Sequence, residues 1–388
     1  MVTTAQSLGD DLPSLEANLV HLMEERFADE DGYYRGEIHA RSMRPYESTD
    51  AEILPPEKQW ARRGLMPEEA MAVHMNYEDA SMTTGNYVQA LIAKFEKTGD
   101  PETRRILRKA FEAMSLLHRT TAETNEYGEG FIPKPYLGIR DVSAIFEMSA
   151  DQWLKFGRAL DRYRAIATPP ERARAEEILL SMATWLDDHD FVTPYLGGPV
   201  YGRLMPHEHY PAVFAWFMAT AAGISGNRHF EEEALALLNK ALEKEGNIPS
   251  WEGAAEPCIN VQNLMTESLV PLMDRFPERR PAMVKRLNWW WRQANECQLQ
   301  PDWSSMHHAV HLNTAPLSAC TYVQICEVLE PGQQPMDIDA VLLEQNRMEH
   351  FMVMRNAKNC AITGWMESRT SLSAQMIAAW LRAYWESR

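Results

Sequence analysis

The stretch 77-YEDASMTTGNYVQALIAKFEKTGDPETRR-105 joins two helices of different kinds through a four-residue turn. From Asp79 to Phe95 it is apolar or small on most faces, as a helix buried all round must be. Thr98-Gly99-Asp100-Pro101 then stops it, because glycine closes one helix and aspartate followed by proline opens the next. After the turn, 102-ETRRILRKAFEAMSLLHR carries an apolar stripe and a heavily charged opposite face. The leading helix begins with two adjacent carboxylates, Glu78 and Asp79, and their purpose is the question the sequence raises.

The same punctuation recurs in ATPPERA near 169, SGNRHFEEE near 227, DRFPERRPAM near 278 and LEPGQQPMDID near 332. This repetition predicts helical hairpins in series rather than a βαβ array, and no alternating strand pattern separates the turns. Helices of the buried kind are expected to start near 77, 148, 209, 262, 308 and 370, and amphipathic ones near 102, 172, 228, 280 and 337. The N-terminal 13-PSLEANLVHLMEERF supplies a sixth amphipathic helix. The expected fold is therefore all-α: a single (α/α)6 toroid of six helical hairpins over residues 1–388, with 27–68 a long connection placed to cover the cavity.

Composition narrows the function. With 388 residues at 45% hydrophobic, the chain can bury one large core. A formal net charge of −17 opposes binding to nucleic acid or an anionic membrane. No apolar run reaches a membrane span, and the first residues lack a basic start followed by an apolar block, so a cytoplasmic protein is expected. Five cysteines without CxxC spacing (Cys258, Cys297, Cys320, Cys326 and Cys360) read as reduced and mostly buried, not as disulfides or a thiolate zinc site. The 12 tryptophans offer stacking platforms for sugar rings, although core filling is the ordinary use of any one of them.

If the short turns share one end, every buried-type helix starts at the other, where helix N-termini offer N–H groups to an anionic ligand. Asp79 and Asp151 then open neighbouring buried helices as a carboxylate pair suited to general acid and base work. Capping is the ordinary role of either one alone, but it does not explain why both occur on the buried class of helix. The segment 200-VYGRLMPHEHYPAVFAWF places Arg203, His207, Glu208, His209 and Tyr210 at the third such helix, where they could neutralise a carboxylate or move a proton, or be satisfied within the core. His307 and His311, four apart, would share a helical face as metal ligands do, yet a third ligand and an HExxH glutamate are missing, so no metal is assigned. Trp303 is a candidate sugar platform. Asn260, Asn263 and Glu267 belong to the fourth buried helix, and Trp365, Glu367 and Arg369 to the sixth. The loop 127-YGEGFIPKPYLGIRD adds Lys134, Tyr136, Arg140 and Asp141, either sugar ligands or ordinary surface charges. The run 187-DDHD ends an amphipathic helix, and Trp289 to Trp291 read as packing between hairpins. No phosphate-cradling glycine loop and no GxSxG motif occurs.

The pattern D-x5-G-x4-A-L-x3-[FY]-x2-T-G-D-P from Asp79 to Pro101, with acidic starts to the buried helices, resembles the six-hairpin glycosidase superfamily. The layout is most similar to its unsaturated uronyl and rhamnogalacturonyl hydrolases. The architectural likeness covers nearly the whole chain, and the motif likeness covers the first two buried helices. This resemblance implies that Asp151 is the general acid and base acting on a 4,5-unsaturated uronic acid in an oligosaccharide, that Asp79 holds ring hydroxyls and tunes its partner, and that no cofactor is needed. Arg140, Arg203, His207, His209, Tyr210, Trp303, His307, Trp365 and Arg369 would bind substrate. The surroundings Ser149-Ala150-Asp151-Gln152-Trp153 depart from the family pattern. Three other readings compete: a polysaccharide lyase using Tyr210, His207, His209 and Arg203, a sugar epimerase using His209 and His307, and a non-catalytic toroid that binds a glycan or a partner protein.

Overall fold

The turn after the first buried helix closes as its sequence demands. Gly99 adopts a left-handed φ of 63°, and its N–H returns to the Phe95 carbonyl at 2.8 Å, a conformation that glycine enters without a Cβ clash. Asp100 caps the next helix by accepting from the N–H groups of Glu102 and Thr103, with Pro101 in its first turn. The computed structural model describes residues 7–47, 76–195, 198–201, 209–243, 259–298, 310–311, 315–333, 335–356 and 368–388. Within them the chain is mostly helical. The α-helices are α1 (Leu12–Leu22), α2 (Ala80–Thr98), α3 (Pro101–Thr124), α4 (Ala150–Ile166), α5 (Pro169–Asp188), α6 (His209–Ser225), α7 (Arg228–Glu243), α8 (Ile259–Arg275), α9 (Arg280–Gln298), α10 (Ala315–Ile325), α11 (Ile338–Glu344) and α12 (Ala374–Glu386).

Two classes of helix alternate. The even-numbered ones are enclosed: α2 is buried without a break from Ala80 to Ala93, and α12 from Ala374 to Tyr384. The odd-numbered ones bury a single stripe, as α3 does with Ile106, Leu107, Ala110, Phe111, Met114 and Leu117 at spacings of three and four. Each even-numbered helix packs on the next, α2 on α4 and so on to α10 on α12, and α12 packs on α2. Behind them α3 backs α2, α5 backs α4, α7 backs α6, α9 backs α8, α11 backs α10 and α1 lies against α12. Glu16 of α1 ties the last pair by accepting from Trp385 Nε1 at 3.0 Å and from Lys94 Nζ of α2 at 2.9 Å. Trp290 and Trp291 are buried on α9, and Asp187 at the end of α5 meets His229 Nε2 at 2.7 Å near the start of α7.

The expected helix starts at 77, 148, 209 and 262 fall at 80, 150, 209 and 259. Those at 308 and 370 require correction, because α10 starts at Ala315 and α12 at Ala374, each preceded by strand. The expectation of no strands is likewise overturned. A four-stranded antiparallel sheet runs in the order β1 (Glu37–His39), β6 (Ser368–Ser373), β5 (Met352–Asn356), β4 (Val310–His311), and β2 (Val192–Tyr195) pairs with β3 (Gly198–Tyr201). Of the 27–68 connection, residues 27–47 are described, and they lie along the start of α2. Tyr33 Oη donates to Ser81 Oγ at 2.8 Å, and Tyr34 N donates to Thr84 Oγ1 at 3.0 Å. No described helix is long and apolar enough to cross a membrane.

Candidate functional site

The first turns of α2 and α4 are joined directly. Gln152 Nε2 donates to the main-chain carbonyl of Glu78 at 2.5 Å, and Gln152 itself is only 2% exposed. Glu78 and Asp79 therefore lie beside Asp151 and Gln152, on neighbouring helices at the same end. Asp79 occupies the N-cap position of α2, yet its side chain makes no capping hydrogen bond there, so helix capping does not account for this carboxylate. Asp151 sits in the first turn of α4, where Oδ1 accepts from the Gln152 N–H at 2.9 Å. Both aspartates are half-buried. Gly85 allows the two helices this approach, since a Cβ there would lie 2.4 Å from the Lys155 carbonyl carbon and oxygen.

A third helix start joins the pair. Gly36, at the entry to β1, donates its N–H to the Asn76 carbonyl at 2.7 Å and accepts from Ala374 N, the first residue of α12, at 3.0 Å. A Cβ on Gly36 would stand 3.1 Å from Asp79 Cβ, so the chain passes close against that carboxylate. Next to it Glu37 is buried, a carboxylate that sequence reasoning missed because it lies in the long connection. Asp29 belongs to the same connection and is also buried. Burial pushes its carboxyl above the usual range, against hydrogen bonds from Tyr77 Oη (2.8 Å) and the Tyr33 N–H (2.8 Å).

One helical turn below Asp151, on the same face of α4, Lys155 enters a buried charge cluster. Its Nζ donates to Asn263 Oδ1 and to Glu267 Oε1, and Arg382 Nη1 donates to the same Glu267 oxygen and to Asn86 Oδ1 (3.2 Å). Asn263 Nδ2 continues to Thr321 Oγ1 at 3.0 Å. This single carboxylate thus ties α4, α8 and α12 together, with α2 and α10 attached through Asn86 and Thr321. Lys155, Glu267 and Arg382 are each at most 1% exposed. Burial alone would raise Glu267, but Arg382 and then Lys155 outweigh it and hold the carboxylate ionised below its usual range. Burial also pushes Lys155 down toward the neutral amine. Of these three, the sequence singled out only Glu267. The signal for the others was a Lys and an Arg inside helices enclosed on all sides.

The remaining sequence candidates scatter. Arg140 is largely exposed and bound to Asp31, through Nε to Oδ2 at 2.7 Å and Nη2 to Oδ1 at 2.5 Å. Lys134 and Tyr136 are buried around Glu147, with an ammonium contact at 3.7 Å and a phenol hydrogen bond at 2.9 Å. His209 opens α6, and Tyr210 beside it is buried. Arg369 is corrected from helix to strand β6, where it pairs with Arg355 of β5. His311 lies in β4 opposite Val353, so the helical face it was to share with His307 does not exist at that position. Arg203, His207, Trp303, His307 and Trp365 lie outside the described residues. Among the described residues no group of three or more His, Cys, Asp or Glu is placed to hold a metal ion. Cys320 is buried and Cys326 is exposed.

No protein-family model, curated protein or solved structure matches this chain.

Proposed function

We propose that the chain is an (α/α)6 toroid of six helical hairpins and a glycoside hydrolase acting on a uronic-acid oligosaccharide, with Asp151 as general acid and base and Asp79 as its partner. The toroid reading rests on the neighbour order of the even-numbered helices, in which the sixth packs on the first. The observation that carries the functional reading is the Gln152–Glu78 hydrogen bond, which brings two half-buried aspartates together where helix N-termini converge. Such an end favours an anionic substrate through backbone donors and helix dipoles.

On a 4,5-unsaturated uronide the protonated Asp151 delivers its proton to the vinyl-ether double bond. The resulting carboxylate then takes a proton from the water that attacks the adjacent carbon, and the hemiketal so formed opens to release the second sugar. Asp79 orients the ring hydroxyls of the substrate.

The test is the ultraviolet absorbance of the conjugated uronide. A hydrolase removes that absorbance from an unsaturated disaccharide, and Asp151→Asn abolishes the change while the protein stays folded. A rise in absorbance on a saturated polyuronide, lost in Tyr210→Phe and kept in Asp151→Asn, would assign the chain to lyases instead.

A further inference from the structure

Ser149-Ala150-Asp151-Gln152 has the spacing of a capping box, in which an N-cap serine accepts from the main-chain N–H three residues on and that residue's side chain returns to the serine N–H. The box does not form. Ser149 stands at the N-cap of α4 with an extended backbone (φ −137°, ψ 148°), yet its side chain makes no capping hydrogen bond. Asp151 Oδ1 takes the Gln152 N–H at 2.9 Å, and the Gln152 amide turns away to donate to the Glu78 carbonyl at 2.5 Å. The next helix shows what the same spacing ordinarily does. Glu171, three residues after Thr168, accepts from the Thr168 N–H at 2.8 Å and closes a capping box at the start of α5.

Two buried oxygens are left over. Ser149 Oγ and Gln152 Oε1 have no hydrogen-bond partner, in residues that are 8% and 2% exposed. Chemistry fixes the Gln152 amide, since a carbonyl only accepts: the nitrogen must face Glu78, and the oxygen is the atom left unmet. A buried polar group without a partner is destabilising, which is why such groups are nearly always satisfied. Both residues flank Asp151 in sequence, at the end of the molecule where Asp79 and Asp151 are half-buried. A serine hydroxyl is re-aimed by one turn about χ1, so burial does not bar it from a group that enters beside Asp151. An amide oxygen only accepts, and the carboxylates around it accept as well, so the missing partner is a donor. A ligand carboxylate offers none, and a sugar hydroxyl does.

We infer that Ser149 and Gln152 form a hydroxyl-reading subsite beside Asp79 and Asp151, in which the unformed capping box holds two hydroxyls of the sugar ring. This rests on the proposed uronide reading and deepens it by orienting the substrate. A 4,5-unsaturated uronic ring keeps hydroxyls only on C2 and C3, and the C3 hydroxyl neighbours the double bond that Asp151 protonates. That edge of the ring lies on the start of α4, and the ring carboxylate points away from it. The subsite therefore selects for hydroxyls at those two carbons and not for acidity.

The full chain is assayed on an unsaturated uronyl disaccharide and on its 2-deoxy and 3-deoxy analogues. Each analogue should show kcat/KM about tenfold lower, the worth of one hydrogen bond. Ser149 is the cleaner residue to change, because Gln152 also joins α2 to α4. Ser149→Ala should raise KM for the parent sugar about tenfold with a smaller effect on kcat, and the penalty for one of the two analogues should vanish. Ser149→Thr keeps a hydroxyl and should restore the discrimination. Since no cap bond is made, the urea midpoint of Ser149→Ala should stay at the wild-type value, whereas a lowered midpoint with discrimination intact would mark a structural cap and overturn the subsite. Equal kcat/KM for parent and deoxy sugars, or wild-type KM in Ser149→Ala, would overturn it too and leave the hydrolase reading standing. If the unsaturated sugar is not turned over, calorimetry with a saturated galacturonate disaccharide and its carboxyl-reduced form separates the two ideas. Binding of both that weakens about tenfold in Ser149→Ala would remove the hydrolase reading and keep the subsite, and no binding of either would overturn both.

Discussion

Glu267 and Arg382 meet as a buried ion pair across 115 residues of sequence, and Lys155 donates to the same carboxylate oxygen. Removing one member of a buried ion pair strands the other's charge, which typically costs about 3–5 kcal/mol. Glu267→Leu strands two cations and should lower stability by roughly that amount. Lys155→Met leaves the Glu267–Arg382 pair intact and should cost less. Urea unfolding of the two variants checks the order, and equal losses would refute the shared-carboxylate account.

Acid sensitivity should centre on His118. Arg174 Nη2 lies 3.3 Å from its Nδ1, and a guanidinium only donates, so Nδ1 accepts and Nε2–H donates to Ser181 Oγ at 2.8 Å. Burial, and then the charge of Arg174, push the imidazole down to about 4. The folded value lies below the unfolded one, so the unfolded state takes up the proton first. The contribution is complete above pH ~6.5 and is lost as pH falls to about 4, a change of roughly 3 kcal/mol. His118→Gln should flatten the stability slope in that window. Urea midpoints at neutral pH and near pH 4.5 measure it, and an unchanged slope would sink the assignment.

Two glycines should respond very differently to alanine. At Gly85 the new Cβ meets the Lys155 backbone at 2.4 Å, and backbone cannot swing aside, so a loss of about 2–3 kcal/mol is expected. At Gly99 nothing lies within 4 Å and only the left-handed φ is penalised, by roughly 1–2 kcal/mol. Thermal melts of Gly85→Ala and Gly99→Ala compare the two, and the larger drop should belong to Gly85.

Gln152→Leu removes the donor that joins α2 to α4 while keeping the side chain's bulk. The stability loss should be modest, about 1 kcal/mol. On the hydrolase reading, kcat should fall about tenfold, because the spacing of Asp79 and Asp151 is no longer held. Unaltered kcat on an unsaturated disaccharide would mean that this bond does not set the geometry.

Much of the helical framework was legible because its signals are local. Gly99-Asp100-Pro101 fixes one turn by backbone chemistry alone, and Thr168 with Pro169 and Glu171 fixes another as a capping box. The sheet was not legible. Its strands are two to six residues long and come from segments as distant as Glu37 and Ser373, too short for alternation to register and paired only through tertiary contact. That is why His311 and Arg369 were misread as helical. Lys155 and Arg382 escaped notice for a different reason: a charge within an apolar helix reads as an exception until its partner on another helix is seen. The placement of Asp79 and Asp151 at the starts of neighbouring helices was legible because acidic residues at the head of a helix are a local signal.

The hydrogen bond from Trp385 to Glu16 has a consequence for the order of assembly. It joins α1 to α12 across 369 residues of sequence. Drawing such distant segments together costs chain entropy before any contact rewards it, so the docking of α1 on α12 should come late, after the intervening hairpins have brought the two within reach.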